Sequence, residues 1–139
     1  MGILFALHSL WRWVVLILAL IVIGKALRGW LGQQTWQDLD KRLGTFYIMA
    51  FTVQFVLGLI LYLGTLMGAH QIRWYELSLV RLSFEHVLLM LIALGVVHMV
   101  PARVRKAGDD LAKHRVTTIG FIISLLLVVV AVPTWGFSF

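Results

Sequence analysis

The sequence contains no cysteine and little charge. Without a thiol the chain forms no disulfide, and its own side chains supply neither a thiolate ligand, an iron–sulfur site nor the attachment point of a c-type haem. Only 13% of its 139 residues are charged, whereas 61% are hydrophobic, which is far from the composition of a water-soluble domain. The composition therefore excludes an ordinary soluble fold, and any redox group must be held by ligands other than cysteine.

Sequence motifs for hydrolysis and phosphate chemistry are also absent. The chain has no zinc-protease motif, no nucleophile elbow and no glycine-rich phosphate loop, so we assign no catalytic residue. Proline occurs only twice, at Pro101 and Pro133. Each proline follows a long apolar run, and we expect each to end a helix.

Four long apolar runs account for most of the chain. A hydrocarbon core of ~30 Å needs about 20 apolar residues for each helical crossing. The runs cover residues 3–24, 44–63, 79–100 and 116–132, and Asp109 is a candidate N-cap of the last one. The first run has no basic segment before it and no small-residue cleavage site after it, so we interpret it as a retained helix. We predict an all-α fold: residues 1–139 form a single integral membrane four-helix bundle with up-down-up-down order.

The basic residues predict how the bundle is oriented. Nine lysines and arginines lie in the loops after the first and third runs, against three on the other side. This bias places those loops in the cytoplasm and both termini on the extracytoplasmic side. Trp11, Trp13, Trp74 and Trp135 then lie at the outer interface, and Trp30 and Trp36 at the inner one. Anionic lipid headgroups account for the formal charge of +6, so we expect the bilayer, and not nucleic acid, as the partner.

Several polar side chains lie within the apolar runs. Arg12, Arg81 and Glu85 each cost ~2.5–3.5 kcal/mol in a bilayer helix, so they need partners or a polar cavity. Arg81 and Glu85 are four residues apart and can pair with each other. Gln54 can bond to a neighbouring helix, or contact a quinone or the edge of a haem. Gly58, one turn later, leaves room for either a helix or a porphyrin.

His8 and His86 are predicted to lie at a similar depth. His8 is a little over one turn into the first run, and His86 is one to two turns into the third run from the same side. Facing helices of a four-helix bundle can hold a cofactor, and two neutral imidazoles can supply both axial ligands of a b-type haem. Arg12, with Arg73 or Arg81, could then bond to the haem propionates. Alternatively, both histidines are hydrogen-bonded polar residues at helix ends.

A second haem site is conceivable near the other end of the bundle. His98 lies twelve residues after His86, about 18 Å further along the helix and rotated by about 120°. His114, before the fourth run, is predicted at a similar depth. This rotation argues against two haems stacked along one face of the helix. His114, like His70, is readily explained as a polar residue at the membrane interface.

Four short motifs together resemble a known family. They are LHSLWRW from Leu7 to Trp13, QFVLGLILY from Gln54, RLSFEH from Arg81 with VLLMLIA directly after it, and AVPTW from Ala131. Nearly the whole chain is similar to small bacterial four-helix membrane proteins identified as cytochrome b or a cytochrome b subunit. The resemblance implies a multi-pass protein of the bacterial inner membrane, with haem b between its helices. His8 and His86 match the histidine motifs of the family, and Arg12, Gln54, Arg81 and Glu85 would surround the haem.

Three hypotheses follow from the sequence. The first is a membrane b-type cytochrome-like electron carrier that exchanges electrons with quinone or quinol, as a quinone-linked oxidoreductase or an electron-transfer subunit. The second is a haem-free accessory subunit of a larger membrane respiratory or transport complex. The third is a small transporter or proton channel that uses Arg12, Glu85 and His86 as a relay. The sequence leaves open whether the chain forms a homodimer.

Overall fold

A computed structural model describes residues 2–68 and 77–132, without the side chains of residues 65 and 77–83. All regular structure in these ranges is helical, in the order α1 (Gly2–Leu31), α2 (Asp38–Gly68), α3 (Leu77–Lys106) and α4 (Asp110–Ala131). Each helix contains a stretch that is long and apolar enough to cross a membrane. The predictions of an all-helical fold and of four candidate membrane spans are confirmed for the described residues.

The helices are longer than the apolar runs that predict them. α1 continues to Leu31, α2 begins at Asp38, and α3 ends at Lys106. Apolarity marks the part of a helix that fits the hydrocarbon core, whereas backbone hydrogen bonding continues into the polar headgroup layer. The interpretation of Pro101 as a helix stop was wrong, because α3 runs through it to Lys106. A proline removes only one N–H group, and transmembrane helices tolerate it where neighbouring groups satisfy the freed carbonyl.

Carboxylates fix the start of two helices. Asp109 is the N-cap of α4, as predicted, and its side chain accepts a hydrogen bond from the Ala112 N–H at 2.7 Å. Near the start of α2, the Asp40 carboxylate accepts the N–H of Gln37 at 2.8 Å, an arrangement that satisfies a free donor of the first turn. The same carboxylate lies 2.6 Å from the Lys25 ammonium on α1, so this residue also ties the two helices together.

The helices pack around a core of small and aromatic side chains. α1 packs against α2 and α4, and α3 packs against the same two helices. The rings of Tyr47 and Phe121 meet edge to face at 4.8 Å between centroids. The Ser124 hydroxyl donates to the Phe121 carbonyl at 2.8 Å, so its oxygen accepts from the Tyr47 hydroxyl at 3.0 Å. A polar contact between α2 and α4 is thereby satisfied inside an apolar core.

The outer surface of the helices is apolar. Leu10, Leu20, Leu126 and Val130 are between 59% and 72% exposed, and many other large aliphatic side chains point outward in the same way. A water-soluble protein rarely exposes so much continuous apolar surface. Hydrocarbon chains of a lipid bilayer are the environment that this surface fits.

Gly29 lets α1 approach α4 closely. The His114 imidazole lies directly over the Gly29 backbone, and a β-carbon at this position would overlap three atoms of the ring. His114 itself is only 1% exposed, so the ring cannot swing outward. A small residue at a helix contact is a common device for close packing in membranes.

We expect Gly29→Ala to lower the thermal stability of the protein in detergent, because the new methyl group must push the His114 ring or the whole of α4 aside. Overpacking of this kind costs about 1–3 kcal/mol. Gly24→Ala is the matched control, since a β-carbon at Gly24 meets nothing within 4 Å and alanine favours the helix. Thermal unfolding monitored by circular dichroism gives the melting temperature of each variant. Equal melting temperatures for the two variants would contradict the close contact.

Candidate cofactor site

The imidazoles of His8 and His86 meet inside the bundle. His8 projects from the first third of α1, and His86 projects from α3. Their ring centroids are 6.4 Å apart and their planes are inclined by 81°. Both rings are partly buried. The two histidines that the sequence places at a common depth are therefore neighbours in space, and not merely residues at the same level.

The position of His8 is fixed by two residues of α2. Its ring lies over Gly58, where a β-carbon would come within 2.8 Å of the ring carbon Cε1. The Gln54 amide nitrogen donates to the His8 carbonyl at 3.0 Å and lies 3.3 Å from His8 Nε2. In this arrangement Nε2 accepts, so Nδ1 carries the proton. Among the described residues the buried Nδ1 has no hydrogen-bond partner, and neither has Gln54 Oε1.

The orientation of His86 is fixed by the end of α4. Its Nδ1 lies 2.9 Å from the carbonyl oxygen of Ala131, the last residue of that helix. Carbonyls in the last turn of a helix have no partner within the helix. Because a carbonyl only accepts, Nδ1 is the protonated nitrogen of His86 and Nε2 carries the lone pair. The contact resembles the outer hydrogen bond that orients many metal-binding histidines.

The charged residues expected around the site are only partly described. Arg12 is half-buried one turn after His8, and its guanidinium carbon lies 5.6 Å from the centre of the Trp13 ring. Glu85 precedes His86 on α3 and is exposed. The Arg81 side chain lies outside the described part of the chain, so the predicted pair with Glu85 is not located. The same holds for Arg73.

His98 and His114 lie in different surroundings. His98 is exposed on α3, and its Nδ1 lies 2.9 Å from the Leu94 carbonyl one turn earlier on the same helix. His114 is buried against α1, and its ring meets that of Trp36 at 5.0 Å between centroids. Neither ring nitrogen of His114 has a hydrogen-bond partner in the described part of the chain. A second haem between these two histidines stays a prediction. No contact between His98 and His114 is seen in the described part of the chain.

Two imidazoles are the donor set that the site offers. Within residues 2–68 and 77–132, no group of three or more histidine, aspartate, glutamate or cysteine side chains is arranged to hold a metal ion. A bare metal ion commonly takes three or four protein ligands. Haem iron takes one or two axial ligands from the protein, because the porphyrin supplies the other four.

Comparison of the chain with protein-family models, curated proteins and solved structures found no match in any of the three.

Sequence reasoning missed two partners of the histidines. One is the Ala131 carbonyl, since a backbone atom has no residue type of its own. The predicted helix end near Pro133 was the available signal, because it leaves such carbonyls free. The other is Trp36, which was assigned only to the aromatic belt. The sequence also did not predict that the Trp11 indole donates to the Ala50 carbonyl at 2.9 Å, a contact that joins α1 to α2 one turn from His8.

In haem-free protein we expect neutral His86 to carry its proton on Nδ1, because the Ala131 carbonyl can only accept. Nitrogen-15 NMR of histidine-labelled protein in detergent micelles distinguishes the two ring tautomers. Gln54→Leu is the control: it removes the amide beside His8 and should leave the His86 signal unchanged. A His86 ring protonated at Nε2 alone would show that the contact with Ala131 is not made.

Proposed function

We propose that the protein is a membrane b-type cytochrome-like electron carrier, in which His8 and His86 are the axial ligands of one haem b. The observation that carries the proposal is the meeting of these two imidazoles at 6.4 Å between centroids. We also propose that the chain is related to the small bacterial membrane proteins, identified as cytochrome b, that its short motifs resemble. The proposed electron partner within the bilayer is a quinone or quinol.

The separation of the rings fits coordination of one iron atom. A metal–imidazole bond is ~2 Å long, and the ring centre lies about 1 Å beyond the bonded nitrogen. Two imidazoles that both bond to one metal ion would therefore have centroids about 6 Å apart, and His8 and His86 lie at a similar separation of 6.4 Å. The 81° between the ring planes is compatible with this, because each ring can rotate about its own metal–nitrogen bond.

The hydrogen bonds support the same roles. His86 keeps Nε2 free for a metal, because Nδ1 donates to the Ala131 carbonyl. For His8, coordination through Nε2 replaces the long 3.3 Å contact with Gln54, while that amide stays anchored to the His8 carbonyl. Gly58 leaves the space in which the His8 ring lies. The proposed ligand atoms are thus Nε2 of His8 and Nε2 of His86, and the Ala131 carbonyl favours the His86 tautomer in which Nε2 is free.

Charge and apolarity define the rest of the proposed pocket. A bound haem supplies a one-electron redox centre and two carboxylates. We propose that Arg12, one turn from His8, and Arg81 would neutralise the haem propionates. We propose Glu85, which is exposed, as a further member of this polar cluster. Aliphatic side chains around a haem would exclude water, and such exclusion is one determinant of a haem potential.

We further propose that both termini lie on the extracytoplasmic side of a bacterial inner membrane, with the helices in up-down-up-down order. The distribution of lysine and arginine supports this orientation. The alternative function, a haem-free accessory subunit of a larger membrane complex, predicts purified protein without pigment and with a stoichiometric protein partner. A homodimer is compatible with either function.

The test is a pyridine haemochrome assay on protein expressed with added haem precursor. We expect a b-type spectrum for the wild type and for His98→Ala, whose histidine is exposed and bonded to its own helix. We expect loss of most of the pigment in His8→Ala and in His86→Ala, because each removes one axial ligand. Circular dichroism of each variant reports whether the helices are retained.

Gly58→Ala gives an independent check, because it places a methyl group against the His8 ring without removing a ligand. We expect pigment with an altered reduced-minus-oxidised spectrum. A colourless wild type after haem-supplemented expression would exclude the cytochrome proposal, and full pigment in both histidine variants would exclude these ligands.

A further inference from the structure

A groove lies on the surface of α1, away from the paired histidines. It has a volume of about 540 Å³, is open to the surroundings, and is lined by Leu20, Ile21, Gly24, Lys25, Arg28 and Gln34. Gly24 provides the opening, since a β-carbon there would meet nothing within 4 Å.

The groove changes from apolar to polar along the helix. Leu20, Gly24 and Arg28 are four residues apart and therefore share one face of α1. Leu20 is 64% exposed, whereas Arg28 lies in the last turn of the helix. One turn rises about 5.4 Å, so the guanidinium lies roughly two turns beyond the leucine. An amphiphile aligned with the helix would meet aliphatic surface first and a cation at the end.

The polar end of the groove favours an anion. Lys25 is held by Asp40 at 2.6 Å, so this pair is close to neutral and Arg28 supplies most of the positive charge. The carbonyl of Arg28 accepts from the Gly32 N–H, and that of Gly29 accepts from the Gln34 N–H, both at 2.9 Å. These carbonyls, which would otherwise repel an anion at the helix end, already have donors. A guanidinium binds phosphate oxygens with two parallel hydrogen bonds.

We propose that this groove binds one anionic phospholipid, with its phosphate at Arg28 and an acyl chain over Gly24 and against Leu20. Charge complementarity at Arg28, together with the apolar continuation of the groove toward the middle of the helix, selects this occupant over a neutral lipid or a quinone. The site is independent of haem binding.

The test is native mass spectrometry of detergent-purified protein mixed with phosphatidylglycerol or with phosphatidylcholine of the same acyl chains. We expect the wild type to retain one phosphatidylglycerol in preference to phosphatidylcholine. Arg28→Gln should weaken this binding about fivefold, the effect of one basic residue near an anionic lipid surface. Gly24→Leu should weaken it as well, because the new side chain fills the groove.

The controls distinguish a specific lipid site from the general electrostatic attraction of anionic lipid to a basic protein. Arg115→Gln removes an exposed charge from α4, and Gly95→Leu adds a side chain on α3 where a β-carbon also meets nothing within 4 Å. Both should bind phosphatidylglycerol as the wild type does. Equal weakening by Arg28→Gln and Arg115→Gln, equal retention of phosphatidylcholine, or displacement of the lipid by inorganic phosphate would each overturn the proposal. So would loss of a dimer, and not of lipid, in Gly24→Leu, which would assign the groove to a second copy of the chain.

Discussion

A polar side chain in the hydrocarbon core has no water to bond to, so it must find its partner on another helix or on the backbone. Contacts between helices in this structure follow that constraint. The Trp11 indole bonds to the Ala50 carbonyl, the Tyr47 hydroxyl to Ser124, and His86 to the Ala131 carbonyl. Each bond fixes the rotation of one helix against another, which apolar packing alone leaves weakly defined. Together the three bonds link α1 to α2, α2 to α4 and α4 to α3, and so form a chain of contacts between the helices that carry His8 and His86.

The same steric device occurs near both ends of α1. His8 lies over Gly58 of α2, and His114 lies over Gly29 of α1. The chemical outcome differs because the neighbours differ. His8 has a second imidazole and an amide beside it, whereas the described neighbours of His114 include an aromatic ring and no hydrogen-bond partner. Glycine therefore creates the space for an imidazole between helices, but the residues on the neighbouring helices determine whether a second imidazole lies beside it.

How much the sequence could predict depends on the type of information that each feature needs. Apolar length predicts four helices, because a bilayer requires a minimum number of apolar residues for each crossing. It does not predict their ends, since helices continue into the headgroup layer. The expectation that proline ends a helix was wrong at Pro101, because α3 continues through it to Lys106. Depth along the chain also predicted that His8 and His86 lie at one level. Their contact could not be derived, because helices that are apolar on all sides give no sequence signal for the face that turns inward. The predicted contacts of Arg81, with Glu85 and with a haem propionate, stay predictions, because the Arg81 side chain lies outside the described residues.

The position of the paired imidazoles along the bundle limits what a single haem there can do. α1 has 30 residues, which at ~1.5 Å each gives a length of about 45 Å. His8 lies about 9 Å from the start of this helix and about 35 Å from its other end. A redox centre bound by His8 would be close to one membrane surface and remote from the other. The proposed haem would therefore exchange electrons near one side, with a quinone ring at that depth or with a partner at that surface, and it would not by itself carry electrons across the bilayer.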